Sequence, residues 1–208
     1  MKTGDFIKVG AVILALLAGN GCDKHQSSNI QNNRYTALGV VMAAKLNEMS
    51  GGKGSIVLVV GESDNNQPTP VGQAIAAYRN ALGKLIQISA TETVTMPAVL
   101  MPGFEPLPAG KFAELLQKYS SADYLVSFVG VPLLTSAQIA QLPSPRPQVV
   151  EVIAYNAPTK AMFAGKVLSL AAVFKPGDQA AAVGGSAQEI FDDQYQLVTP
   201  ATAGGLPR

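Results

Sequence analysis

Glu62, Ser63, Asp64 and Asn65 stand together in the polar string Gly61-Glu62-Ser63-Asp64-Asn65-Asn66, which links an apolar run to Thr69-Pro70. Two carboxylates, a hydroxyl and amides on one loop could bind a polar ligand, help hold a divalent cation, or present a serine nucleophile. The run before them, Ser55-Ile56-Val57-Leu58-Val59-Val60, reads as a strand covered on both faces. Thr69-Pro70 reads as a helix start, with a capping hydroxyl and proline at the first position. The string therefore leaves the carboxyl end of a strand, where open α/β sheets place their ligands. It also feeds a helix N-terminus, whose free N–H groups attract anions. The plainer reading of the same residues is a polar turn that caps the next helix.

Other chemistries are narrowed by inventory. The single cysteine, Cys22, and the single histidine, His25, both precede the first predicted helix, so the folded part lacks the usual zinc ligands. Glu62 and Asp64 with Asp192 or Asp193 form the one carboxylate set conceivable for Mg or Ca, and no contiguous EF-hand loop exists. Gly51-Gly52-Lys53-Gly54 is too short for a phosphate loop, and Gly184-Gly185 lacks the third glycine of a dinucleotide fingerprint.

Gly61-Glu62-Ser63 resembles the opening block of the SGNH-type hydrolases, a strand ending in Gly-Asp-Ser whose serine is the nucleophile. This chain departs from that pattern in three ways. Glu62 replaces the aspartate, Asn65 breaks a Gly-x-Ser-x-Gly elbow, and Asp192-Asp193-Gln194-Tyr195 has no histidine to complete a closing Asp-x-x-His block. A serine without a base is not activated. No catalytic residue, metal or cofactor is therefore expected, and Glu62, Ser63, Asp64 and Asn65 are expected to bind a ligand if they act at all.

Lys2 and Lys8 flank a charged start, residues 9–18 are apolar, and Gly19-Asn20-Gly21 leads to Cys22. An apolar run of about ten residues falls short of the roughly 20 needed to span a bilayer, and the layout is that of a secretory signal. Residues 1–23 resemble a bacterial lipoprotein signal, in which a lipobox ends in a cysteine that receives lipid. Gly21-Cys22 matches that pattern, whereas Gly19 and Asn20 depart from it. The resemblance implies acylation of Cys22 (palmitate among the chains) and an anchor in the cell envelope, with the domain facing the periplasm or the exterior. In enteric-type hosts Asp23 would favour the inner membrane. Ordinary signal peptidase would instead leave Cys22 as a free thiol. The expected layout is a signal at 1–21, a polar tether at 22–33, an α/β domain at 34–200 and a loose tail at 201–208.

Only 14% of the residues are charged, against about 25% in typical soluble domains, which points to an extensively covered sheet. The net charge is +1 without a long basic run, so capture of nucleic acid has no electrostatic support. Helices are predicted over 34–49, from Thr69 to Leu82, around 112–119, over 136–142 and over 185–191. Strands are predicted at 55–60, 85–90, 124–129, 149–155, 167–174 and 195–198. The order gives one three-layer α/β domain with a mainly parallel sheet of five or six strands. Asn156-Ala157-Pro158-Thr159 reads as a hairpin turn, which would make strands 149–155 and 167–174 antiparallel. Residues 96–108, rich in proline and methionine, form a long loop that could be an adaptable contact surface.

Two readings of function follow. The first is a non-catalytic envelope lipoprotein whose domain binds or positions other envelope components. The second is a small-molecule receptor resembling one lobe of a periplasmic binding protein, in a chain long enough for one lobe only. A carboxylate-dependent hydrolase ranks last.

Overall fold

The computed structural model describes residues 23–96, 107–154, 160–175 and 185–205, with 23–33 described by backbone alone. The first half of the chain forms α1 (Asp23–Ser50), β1 (Lys53–Gly61), α2 (Pro70–Ala81), β2 (Leu85–Val94) and α3 (Ala109–Lys118). The second half forms β3 (Tyr124–Ser127), α4 (Ser136–Ala140), β4 (Gln148–Glu151), α5 (Lys160–Ala164), β5 (Leu168–Phe174), α6 (Ala187–Gln194) and β6 (Tyr195–Val198). A short 3₁₀ turn (Ala203–Gly205) follows.

The strands make one six-stranded sheet in the order β2-β1-β3-β4-β5-β6. All neighbours are parallel except β5 and β6. The apolar run Ile56–Val60 lies fully buried in β1 and alternates between two cores. Ile56, Leu58 and Val60 face α1, α2 and α6, whose Leu38, Met42, Ile75, Tyr78 and Phe191 complete that layer. Val59 faces the other side, where Phe112 and Leu116 of α3 and Met162 and Phe163 of α5 cover the sheet. The three-layer architecture expected from the sequence is therefore present.

α1 and α2 pack closely because Gly39 has no side chain. A Cβ there would overlap the Ala74 carbonyl oxygen and approach the Tyr78 nitrogen to 2.9 Å. The α2 start matches its sequence signal: Thr69 is the N-cap, and its Oγ1 accepts from the Gly72 N–H at 2.9 Å. α6 starts on a capping box in which Ser186 and Glu189 bond each other's backbone N–H groups.

Three expectations are corrected. The strands before and after Asn156 are parallel, with α5 between them, because Met162 and Phe163 anchor a crossover helix in the second core. The antiparallel pair expected near the C-terminus is present, but it is β5–β6; the turn at 156–159 itself lies outside the described residues. The helix expected from Arg34 begins at Asp23, so it runs back through the polar residues 23–33. The tail is not loose over 201–205: Thr202 and Ala203 N–H groups bond the Thr199 carbonyl, and Ala203 is buried in the second core.

Gly39→Ala should destabilise the domain by about 1–3 kcal/mol, because backbone rather than a movable side chain fills the space. Urea unfolding measures this, and a change within about 0.5 kcal/mol would mean that α1 and α2 separate freely.

Candidate functional site

β1 and β3 are neighbours whose chains leave in opposite directions. From β1 the chain passes through α2 to β2, and from β3 through α4 to β4, on the other side. The two exit loops therefore part above the carboxyl ends of the strands, at the crevice where open sheets of this type take ligands. Residues 61–66 form one wall and residues 128–134 the other.

The first wall is mostly committed to its own turn. Asp64 and Asn65 N–H groups both donate to the Gly61 carbonyl, at 3.0 and 3.1 Å. Asp64 Oδ1 accepts from Thr69 Oγ1 at 2.6 Å, which fixes the hydroxyl that caps α2. Arg79 reaches back from α2, donating to Asn66 Oδ1 at 3.0 Å and to Asn65 Oδ1 at 3.3 Å. Glu62 and Ser63 remain exposed at the tip. Glu62 Oε2 accepts from Thr95 Oγ1 at 3.1 Å, and Ser63 has no hydrogen-bond partner among the described residues. The four residues singled out from sequence are thus brought together. Asp64 and Asn65 are used structurally, while Glu62 and Ser63 are free to meet a ligand. Nothing among the described residues is bonded to the Ser63 hydroxyl to take its proton.

The carboxylate set considered for Mg or Ca is not assembled. Asp192 and Asp193 lie on α6, which packs against α1, away from the loop after β1. Among the described residues no group of three His, Cys, Asp or Glu side chains could hold a metal ion. Cys22 and residues 97–106 lie outside the described residues. No helix among those described is long and apolar enough to cross a membrane.

Sequence reasoning missed Glu151, the last residue of β4. It sits opposite Ser127 of β3 and Ala171 of β5 and is 1% exposed. Its Oε1 accepts from the Val131 N–H at 3.0 Å, while its Oε2 has no partner among the described residues. Burial pushes its carboxyl up to about 8, opposed in part by the Val131 N–H. The available signal was an acid inside the apolar run Val149-Val150-Glu151-Val152-Ile153, where a covered strand has no solvent for it. A second feature outside the sequence reading is an open, mainly apolar groove of about 650 Å³ between α4 and α5, lined by Ile139, Ala140, Ala161 and Ala164 with Lys160 at its side.

No protein-family model and no curated protein matches this sequence. Solved structures do resemble it. AraP, an arabinose-binding protein from Geobacillus stearothermophilus, superposes with a TM-score of 0.52 at 11% identity over 85% of this chain and 64% of that one. An ABC transporter solute-binding protein from Burkholderia graminis, in complex with D-arabinose, gives 0.52 at 10% identity over 83% of this chain and 62% of that one. A XylFII–LytSN complex gives 0.51 at 11% identity, covering 81% of this chain and 60% of that one. At these identities the likeness is one of fold, and this chain spans less than two thirds of the length of each.

Folding stability should depend on pH through Glu151. The unfolded carboxyl loses its proton near 4.5 and the folded one near 8, so between these values the folded state holds the extra proton. Stability should then fall as pH rises through that window, by at most about 1.4 kcal/mol per pH unit, and level off above it. Glu151→Gln should remove this slope in urea midpoints taken from pH 5 to pH 8.5. An unchanged slope in the variant would assign the dependence to another group.

Proposed function

We propose that this chain is an exported, non-catalytic receptor domain that takes a small hydroxylated solute in the crevice between β1 and β3. The observation that carries this reading is the reversal of strand order at β1/β3, with Glu62 and Ser63 exposed at its mouth. A carboxylate and a hydroxyl suit the donors and acceptors of a sugar-like solute. The arabinose-binding proteins that share the fold support the same class of ligand. The reading also accounts for the departures from the hydrolase pattern, because binding needs no base beside Ser63.

The domain is held at the cell envelope through acylated Cys22. Support comes from the signal-like residues 1–21 and the cysteine that ends them. Attachment at the surface also agrees with a second reading, in which the domain positions another envelope component. The XylFII–LytSN assembly is a case in which a protein of similar fold is found in a complex.

A thermal-shift screen of monosaccharides tests the solute site. A solute at 100 times its Kd should stabilise the fold by about 2.7 kcal/mol. Glu62→Gln with Ser63→Ala should abolish that gain without lowering the stability of the free protein. A flat screen, with a partner recovered from detergent-solubilised envelope, would favour the second reading.

Intact-mass analysis of protein from the native host tests the anchor. The expected mature chain starts at Cys22 and carries several acyl chains, each held in the bilayer at about 0.8 kcal/mol per buried CH₂. Cys22→Ala should accumulate as a precursor or appear in the soluble fraction. A mature chain starting at or before Cys22 without lipid mass would rule out the anchor.

A further inference from the structure

The second wall of the crevice is tied down differently from the first. After β3, Ser127 Oγ donates to the Gly130 carbonyl at 2.5 Å and accepts from the Val129 N–H at 3.3 Å, closing a local turn. Gly130 stands at φ +77, in the left-handed region that glycine adopts without strain. Val131 and Leu134 then plug the second core, and both are nearly buried. Across residues 129–134, the Val131 N–H to Glu151 bond is the one hydrogen bond among the described residues that ties the wall to a neighbouring strand.

We propose that Glu151 is a proton-operated latch on this wall: residues 129–134 stay seated while the carboxyl beneath them is neutral, and ionisation, although it strengthens the Val131 N–H bond, demands water at the unpartnered Oε2 and so favours the lifted loop. A fully buried carboxylate with one amide donor and one vacant oxygen lacks the solvation that its charge requires. Water reaches Oε2 if the loop above it lifts, so the open loop is the state that favours ionisation. The titratable groups on the elements over this face are Glu92 of β2, Lys111, Glu114 and Lys118 of α3, Tyr119 beside them, and Lys160 of α5. None acts on the Glu151 carboxyl, whose proton affinity is set by burial and by the Val131 N–H. Glu92 is instead engaged by Lys118 and Tyr119. Rising pH therefore opens one wall of the solute crevice, and falling pH closes it. The latch depends on the solute reading for its purpose, but it is tested without any solute, so the two fail separately.

Hydrogen exchange on the ligand-free protein, followed amide by amide and corrected for intrinsic rates, is the test. The opening constant of Val131 and its loop neighbours should rise about tenfold per pH unit between pH 5 and pH 8 and then level off. The same amides should open more readily than those of β1. Glu151→Gln should flatten the profile. If that variant fails to fold, carboxyl-labelled glutamate in the unaltered protein replaces it: the Glu151 titration midpoint should coincide with the pH at which loop opening levels off. A pH-independent loop, the same rise in Glu151→Gln, a non-coincident midpoint, or loop protection equal to that of β1 would each overturn the latch. The last result would mean that the carboxyl acts on the whole fold.

Discussion

Burial of β1 on both faces is the constraint on which the rest of the structure depends. Five consecutive apolar residues, Ile56 to Val60, have no exposed surface, and each contributes about 1.5–3 kcal/mol only if something covers it. Because side chains alternate, covering them requires a layer on each side. α1, α2 and α6 supply one layer, and α3 and α5 supply the other. Parallel pairing follows, because a strand covered on both faces is reached by helical crossovers rather than by tight hairpins. Parallel strands also place every strand-to-helix loop at the same edge. The crevice between the loops after β1 and β3 is thus a by-product of how the central strand is hidden.

The two crevice walls show two ways of holding a loop above a buried strand. Residues 61–66 are fixed by polar groups that reach each other at the surface, through Asp64, Thr69 and Arg79. Residues 129–134 are fixed by apolar plugs and a single bond to a buried acid. The first device is a network of side-chain bonds among exposed and half-buried groups. The second is sensitive to proton concentration, because the same apolar surroundings that seat Val131 and Leu134 also deny Glu151 its charge.

Much of this architecture is legible in the sequence because the relevant signals are local. The unbroken run in β1, Thr69-Pro70 before α2, and the spacing of Phe112, Leu115 and Leu116 each specify an element without reference to distant residues. What was not legible depends on partners far along the chain. α5 has five residues, too few for a periodic pattern, and is helical because Met162 and Phe163 find the second core. The direction of β5 depended on that crossover, so reading a turn at Asn156 gave the wrong pairing. Within the site, the polar string was visible, but its division into structural Asp64 and Asn65 and free Glu62 and Ser63 required Arg79 to fold back. Glu151 was passed over, although it interrupts an apolar run, because sequence shows neither its burial nor the missing partner of Oε2.

β2 is one of the two edge strands and pairs along the whole length of β1, yet it is poorly suited to recruit another strand. Its register breaks opposite Ile56 and Val57, where Ser89 turns its hydroxyl to the Ile56 carbonyl. Further along, Glu92 is turned onto the sheet face toward Lys118 and Tyr119. A bulge and an inward charge are both devices that keep sheet edges from joining. At this edge, therefore, the sheet resists continuation by another strand. A partner that reads this domain at its β2 side would meet side chains there and not a row of free backbone groups.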